Sequence, residues 1–98
     1  MTYASPAERR VLISGLRELA DFLERSPDVP APKYTDVLVF PPDDMPGTAK
    51  QHEVDVIASR IGSGTEITSY ARHYQTSRRF GSVEYRAVAI PSDADKEQ

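Results

Sequence analysis

The sequence predicts an α+β fold, a two-layer sandwich in which a four-stranded mixed sheet carries both helices on one face. Two segments have apolar residues at helical spacing, and four shorter segments rich in β-branched and aromatic residues are separated by proline and glycine turns. The predicted order is α-β-α-β-β-β. This order favours a right-handed parallel crossover from the first strand through the second helix to the second strand, followed by an antiparallel meander.

Length and composition limit the classes of protein that fit. The chain has 98 residues, of which 39% are hydrophobic and 28% charged, as in a globular domain. We expect a single domain over residues 1–90 and a flexible acidic tail over 91–98. The absence of cysteine excludes disulfides, thiolate nucleophiles and cysteine-based zinc sites. No apolar run reaches the length of a membrane span and the start lacks a signal-peptide pattern, so we expect a cytoplasmic protein with no membrane partner.

The first helix has a clear start and end. Ser5 can cap it, Pro6 suits the first helical position, and Glu8 stands where a capping box places its carboxylate. Ser26 precedes a proline and so ends the helix at about Arg25. A stripe of leucines is expected to face the core, although it could instead mediate helix pairing; it comprises Leu12, Leu16, Leu19 and Leu23.

The middle of the chain predicts a strand and a second helix. Residues 34–40 form the strand, and its end at 37–40 is apolar on both faces, which indicates an inner strand of the sheet. Thr48 and Gln51 form a second capping box, and Gly62 is a suitable C-terminal stop. The helical spacing between them is carried by Val54, Ile57, Ala58 and Ile61.

The last third predicts three strands. Residues 65–71 form one strand, and 73–80 and 83–90 form a hairpin around Gly81 and Ser82, which suits a two-residue turn with glycine first. This turn pairs Phe80 with Val83, Arg79 with Glu84 and Arg78 with Tyr85.

Strand alternation then divides the hairpin side chains between two faces. The predicted core face carries Tyr74, Phe80, Val83, Tyr85, Ala87 and Ala89. The predicted outer face carries His73, Gln75, Ser77, Arg79, Glu84 and Arg86.

Charge is concentrated in the hairpin region. Residues 1–66 carry a net charge of −4, residues 67–90 carry +3 and residues 91–98 carry −2, which gives −3 for the chain. The candidate binding residues mix guanidinium groups with an imidazole and an aromatic ring; they are Arg72, His73, Arg78, Arg79, Tyr85 and Arg86.

Three interpretations of this region stay open. It can be a solvated strand face with a cross-strand pair between Arg79 and Glu84. It can bind a protein partner, since arginine and tyrosine are enriched at interfaces. It can bind nucleic acid through phosphate contact and base stacking, although the acidic net charge opposes approach. Protein binding is the leading functional hypothesis, and a homodimer through the edge of the hairpin is compatible with the sequence.

Signals for catalysis or metal binding are weak, and we expect no enzyme, no cofactor and no metal site. His52 is followed by Glu53, but the second histidine of a zinc-protease helix is replaced by Val56. Asp43 and Asp44 lack the ordered spacing of a calcium loop. The Gly62–Thr65 stretch has no lysine and follows a helix, the reverse of a phosphate loop.

Two stretches carry a family resemblance. Arg78–Pro91 reads Arg-Arg-Phe-Gly-Ser-Val-Glu-Tyr-Arg-Ala-Val-Ala-Ile-Pro, and Leu16–Pro32 contains Leu-Arg-Glu-Leu-Ala-Asp-Phe-Leu-Glu and Ser-Pro-Asp-Val-Pro. Both resemble small uncharacterised proteins of actinobacteria and their phages. The resemblance implies a helix, a proline-rich link and a strand ahead of a helix and terminal hairpin, and a small accessory protein that acts on host or phage machinery. It implies no catalytic residue at any position.

Overall fold

The computed structural model describes residues 3–42, 44–67 and 72–90. The predicted element order and the four-stranded mixed sheet are confirmed. The elements are α1 (Pro6–Arg25), β1 (Thr35–Val39), α2 (Gly47–Ile61), β2 (Glu66–Ile67), β3 (Tyr74–Phe80) and β4 (Val83–Ala89). The expected tail at 91–98 and the second half of the strand expected at 65–71 lie outside the described residues. The chain divides into two compact units, one with α1 and one with the sheet and α2.

Helix α1 begins with the capping box that the sequence predicts. The Ser5 backbone N–H donates to Glu8 Oε1 at 2.8 Å, and the Glu8 backbone N–H donates to Ser5 Oγ at 3.1 Å. Pro6 occupies the first turn, where its missing N–H costs no hydrogen bond. The helix ends at Arg25, before the residue that precedes Pro27.

The leucine stripe of α1 is not buried within the compact unit that α1 forms. No residue of α1, all of which the structure describes, is buried. Leu16 is 44% exposed and Leu19 is 53% exposed. Helical spacing identifies an apolar stripe but not what covers it, so the prediction that these leucines face a core stays a prediction.

The sheet has the order β1-β4-β3-β2. β2, β3 and β4 form the predicted antiparallel meander, while β1 pairs in parallel with β4. Among the described strands β1 is therefore an edge strand and not the inner strand predicted from its apolar end. The apolar pattern reflects half-buried Val37 and Val39 on one face, whereas Leu38 on the other face is 51% exposed.

Helix α2 ends as predicted but begins differently. Gly62 adopts the left-handed conformation with φ of 71°, which glycine reaches without steric cost. The helix begins at Gly47 with Pro46 as its N-cap, and in the described residues no side chain caps it. Thr48 thus lies inside the first turn, so the predicted capping box of Thr48 and Gln51 does not form.

The small core lies between α2 and one face of β3 and β4. Val54 and Ala58 of α2 and Ala87 and Ala89 of β4 are each at most 5% exposed. This confirms the predicted core face at the Ala89 end of the hairpin. At the turn end of the hairpin the same face is exposed at Phe80 and Val83. On the opposite face of the Ala89 end Gln75 is 6% exposed and its partner Val88 is 5% exposed, so the prediction that Gln75 lies on an outer face is wrong.

Candidate binding surface of the C-terminal hairpin

The predicted hairpin register is confirmed, and it determines which side chains share a face. Phe80 pairs with Val83, Arg79 with Glu84 and Arg78 with Tyr85. Gly81 has φ of 62°, which explains why the first turn position is a glycine.

Strand alternation separates the six candidate residues. Arg78 and Tyr85 lie on the face that also carries Ala87, while Arg79 and Arg86 lie on the opposite face. Arg72 and His73 precede β3, so they belong to neither strand face. The structure therefore does not bring the six residues together into one basic surface.

Arg86 is held by two carboxylates. Its Nη2 donates to Glu84 Oε1 at 2.6 Å, and its Nε lies 3.8 Å from Asp36 Oδ2 on neighbouring β1. The Arg86 side chain is only 26% exposed. Its charge is thus compensated within the sheet, and it supports the pairing of β1 with β4 rather than an external ligand.

Glu84 is engaged by Arg86 and not by Arg79. Arg79 lies directly opposite Glu84 in the register, as the cross-strand interpretation requires. Within the described residues, however, no ion pair joins the two side chains, because the Glu84 carboxylate turns to Arg86 on its own strand. Arg79 is exposed.

Arg78 and Phe80 form the exposed part of the other face. The Arg78 guanidinium carbon lies 5.0 Å from the Phe80 ring centroid, within the range of a cation–π contact. Phe80 is 55% exposed and its partner Val83 is 39% exposed. Tyr85, opposite Arg78, is half-buried. We call this surface the hairpin-end patch; it comprises Arg78, Phe80, Val83 and Tyr85.

Sequence reasoning placed Phe80 and Val83 in the core and so missed their exposure. Alternation assigns them correctly to the α2 side of the sheet. Strand alternation assigns a residue to a face of the sheet, but it cannot show which part of that face α2 covers. The hydrogen bonds from α2 and its following loop reach Tyr74 and Thr76 at the other end of β3.

Arg72 and His73 lie at the entry to β3. Arg72 is exposed and has φ of 57°, a left-handed conformation that costs a non-glycine residue about 1 kcal/mol or more. His73 is half-buried.

A polar cluster joins α2, its following loop and β3. The Tyr74 hydroxyl donates a short hydrogen bond to the Asp55 carboxylate. Since the phenol has one proton, the Thr65 hydroxyl at 2.8 Å donates to Tyr74. The bond to Asp55 raises the pKa of Tyr74, and the bond from Thr65 opposes this rise. The cluster fixes α2 on the sheet.

Among the described residues no group of three or more histidine or acidic side chains is placed to hold a metal ion. Asp55 is bonded to Tyr74, and Asp43, of the acidic pair noted in the sequence, lies outside the described residues. Across the described part of the chain, no helix combines the length and apolarity that crossing a bilayer requires.

The hairpin-end patch can therefore offer stacking, apolar contact and one cation to a ligand surface. Comparison with protein-family models, with curated proteins and with solved structures finds no match to this chain.

Proposed function

We propose that this chain is a small non-enzymatic accessory or regulatory protein that binds a protein partner through the hairpin-end patch. The observation that carries the proposal is the exposed Phe80 ring with the Arg78 guanidinium stacked against it. Aromatic and arginine side chains dominate the binding energy of protein interfaces. Val83 extends the apolar surface beside Phe80.

The charge distribution favours a protein over a nucleic acid as the partner. A phosphate backbone needs several uncompensated cations on one surface. Arg79 lies on the opposite face from Arg78, and Arg86 is compensated by Glu84 and Asp36. The chain as a whole carries −3. We therefore expect a partner surface with an apolar pocket for Phe80 and a carboxylate near Arg78.

The patch is tested by capturing the partner with matched variants. The intact chain serves as bait in an actinobacterial lysate, which the family resemblance suggests, divided into a nuclease-treated half and an untreated half. Arg78→Glu and Phe80→Ser should each abolish capture. Arg79→Glu is the matched control, because it changes the same residue type at the next position of the strand but on the other face. It should leave capture intact.

Each remaining outcome counts against the proposal. Capture that survives both patch variants would exclude the patch, and equal loss with Arg79→Glu would indicate an unspecific charge effect. Capture that disappears on nuclease treatment would instead favour nucleic-acid binding. In that case the affinity for an oligonucleotide should fall steeply with added salt, because phosphate contacts release counterions.

A further inference from the structure

The N-terminus of α2 leaves its backbone donors unpaired. The first bond of the helix runs from the Lys50 backbone N–H to the Pro46 carbonyl at 3.0 Å. The N–H groups of Gly47, Thr48 and Ala49 precede it, and within the described residues none of them has a hydrogen-bond partner. The first turn, all of which is described, holds no acidic residue. Three donors and the positive end of the helix dipole therefore meet at this point.

Lys50 is the independent observation that points to an anion. It is only 6% exposed, although a lysine is rarely buried without a charged partner. Among the described residues its ammonium group forms no ion pair and no hydrogen bond. Since no fully buried polar side-chain atom in the described part of the chain lacks a partner, the Nζ atom keeps contact with solvent. The stem of Lys50 is thus buried, and its charge is left for an external ligand.

The side chain of Lys50 is directed toward the first turn of α2. Lys50 lies on the buried stripe of the helix, together with Val54 and Ala58, and this stripe packs on β3 and β4. Helical side chains lean toward the N-terminus of their helix, so the Lys50 stem covers the turn that precedes it. The ammonium group therefore lies on the same side of the molecule as the three unpaired N–H groups.

The fold places this helix start where α/β proteins bind ligands. α2 follows β1, and β1 runs parallel to β4, so the carboxyl ends of both strands lie at the same edge of the sheet. Ligands of open α/β sheets bind outside the carboxyl ends of the strands, and a phosphate group commonly lies at the N-terminus of the following helix. Gly47–Lys50 thus has both features that the Gly62–Thr65 stretch lacks, a lysine and a position at a helix start.

We propose that the first turn of α2 and Lys50 bind a phosphate group, either as free phosphate or as part of a small molecule. The donors are the three backbone N–H groups, the Lys50 ammonium and the hydroxyl of Thr48, which is exposed. A tetrahedral phosphate accepts hydrogen bonds from several directions at once, and lysine binds it as a point charge. The inference is independent of the partner proposed for the hairpin-end patch. All of these residues belong to the compact unit that contains the sheet.

Asp44 should limit the affinity of this site. It is exposed in the loop between β1 and α2, so its carboxylate repels an approaching phosphate. Asp44→Asn should therefore strengthen phosphate binding about twofold at low ionic strength. Weaker binding by this variant would indicate a site that needs the carboxylate, as a cation site does, and would contradict the proposal.

Titration of the ¹⁵N-labelled chain with inorganic phosphate tests the site. At constant ionic strength, the amide resonances of Gly47, Thr48 and Ala49 should shift and saturate with phosphate but not with chloride. Lys50→Gln removes the charge and keeps most of the stem, so it should weaken binding by about tenfold or more. Lys33→Gln is the matched control, because it removes the same charge at an exposed lysine. The absence of saturable shifts below about 10 mM phosphate, or equal losses in the two variants, would overturn the proposal.

A second pair of variants tests the backbone donors without depending on Lys50. Gly47→Pro removes the N–H of the first helical position, where proline is tolerated. Pro46 has φ of −66° and ψ of 158°, the extended conformation that a residue before proline prefers. Helicity by circular dichroism should therefore be unchanged while phosphate binding weakens. Gly47→Ala keeps the N–H and should bind like the wild type. Equal affinity of the proline and alanine variants would exclude this donor.

Two further probes identify the form in which phosphate binds. Tighter binding of glycerol 3-phosphate than of inorganic phosphate would assign the site to a phosphorylated small molecule, and the reverse order would assign it to free phosphate. Acetate should bind at least about tenfold more weakly than phosphate, since it offers fewer acceptor positions and a smaller charge. Equal binding of acetate and phosphate would reject the assigned selectivity.

Discussion

Glu84 accepts a hydrogen bond of 2.6 Å from Arg86, two residues along the same strand, and the same guanidinium lies 3.8 Å from Asp36. Arg86 therefore connects β4 to the parallel edge strand β1. This leaves Arg79 exposed opposite a carboxylate that is already engaged. The basic residues of the hairpin thus differ, since Arg86 is held by carboxylates within the sheet whereas Arg78 is exposed.

Replacing Arg86 should affect stability more than binding. Arg86→Ala removes both carboxylate contacts and should lower the free energy of unfolding by about 0.2–1 kcal/mol, as for partly exposed ion pairs. Urea unfolding measures this change, and Arg79→Ala is the control that should leave stability unchanged. Partner capture should survive in both variants. A loss of capture specific to folded Arg86→Ala would show that Arg86 contacts the partner.

The Tyr74–Asp55 bond should make stability depend on alkaline pH. The pKa of Tyr74 is raised above its ordinary value of 10.0, chiefly by this bond. Because the pKa is raised, the contribution of the Tyr74–Asp55 bond to the free energy of unfolding is complete below pH 10.0. It is lost as pH rises through the raised pKa. Tyr74→Phe should therefore be less stable than the wild type near neutrality, and this difference should shrink at high pH. A difference that is constant with pH would contradict this assignment.

The capping box of α1 should be sensitive to acid. The backbone and hydroxyl of Ser5 lower the pKa of Glu8 below 4.5. The contribution of the Glu8 carboxylate to the stability of α1 is therefore present above pH 4.5 and is lost as pH falls through the lowered pKa. Glu8→Gln should reduce α1 helicity at neutral pH but not in strong acid, as measured by circular dichroism. Ser5→Ala should destabilise the helix by about 1 kcal/mol. Unchanged helicity in both variants would show that the box does not limit α1 formation.

The hairpin turn should require glycine at one position only. Gly81→Ala forces a side chain into positive φ and should cost about 1–2 kcal/mol of unfolding free energy. Gly64→Ala is the matched control, because its φ is not positive and a Cβ atom there meets open space. Thermal unfolding should shift for Gly81→Ala alone. Equal shifts would mean that the turn conformation is not the cause.

Local signals in the sequence predicted the features that depend on neighbouring residues. The capping box of Ser5 and Glu8, the stop at Gly62 and the hairpin register each arise from a few adjacent residues, and the structure contains all three. Features that depend on distant segments were predicted less well. The edge position of β1 and the exposure of Phe80 depend on which strand pairs with β4 and on the reach of α2.

The candidate site illustrates the same limit. The arginines could be identified from composition, and alternation could assign Arg78 and Arg79 to opposite faces. The compensation of Arg86 could not be predicted, because Asp36 reaches it only through the parallel pairing of β1 with β4. The sequence distance between these strands leaves no local pattern that would indicate the contact.

The position of β4 between β1 and β3 also determines the order in which the sheet can assemble. During synthesis β1 leaves the ribosome before α2, β2, β3 and β4, yet in the described sheet its hydrogen-bonding neighbour is β4. β1 therefore stays without this neighbour until β4 has been made. Pairing the two strands then carries the entropic cost of closing the long segment between them. We expect the local β3–β4 hairpin to form early and β1 to join it late. A chain that stops before β4 leaves Val37 and Val39 without the strand on which they are paired.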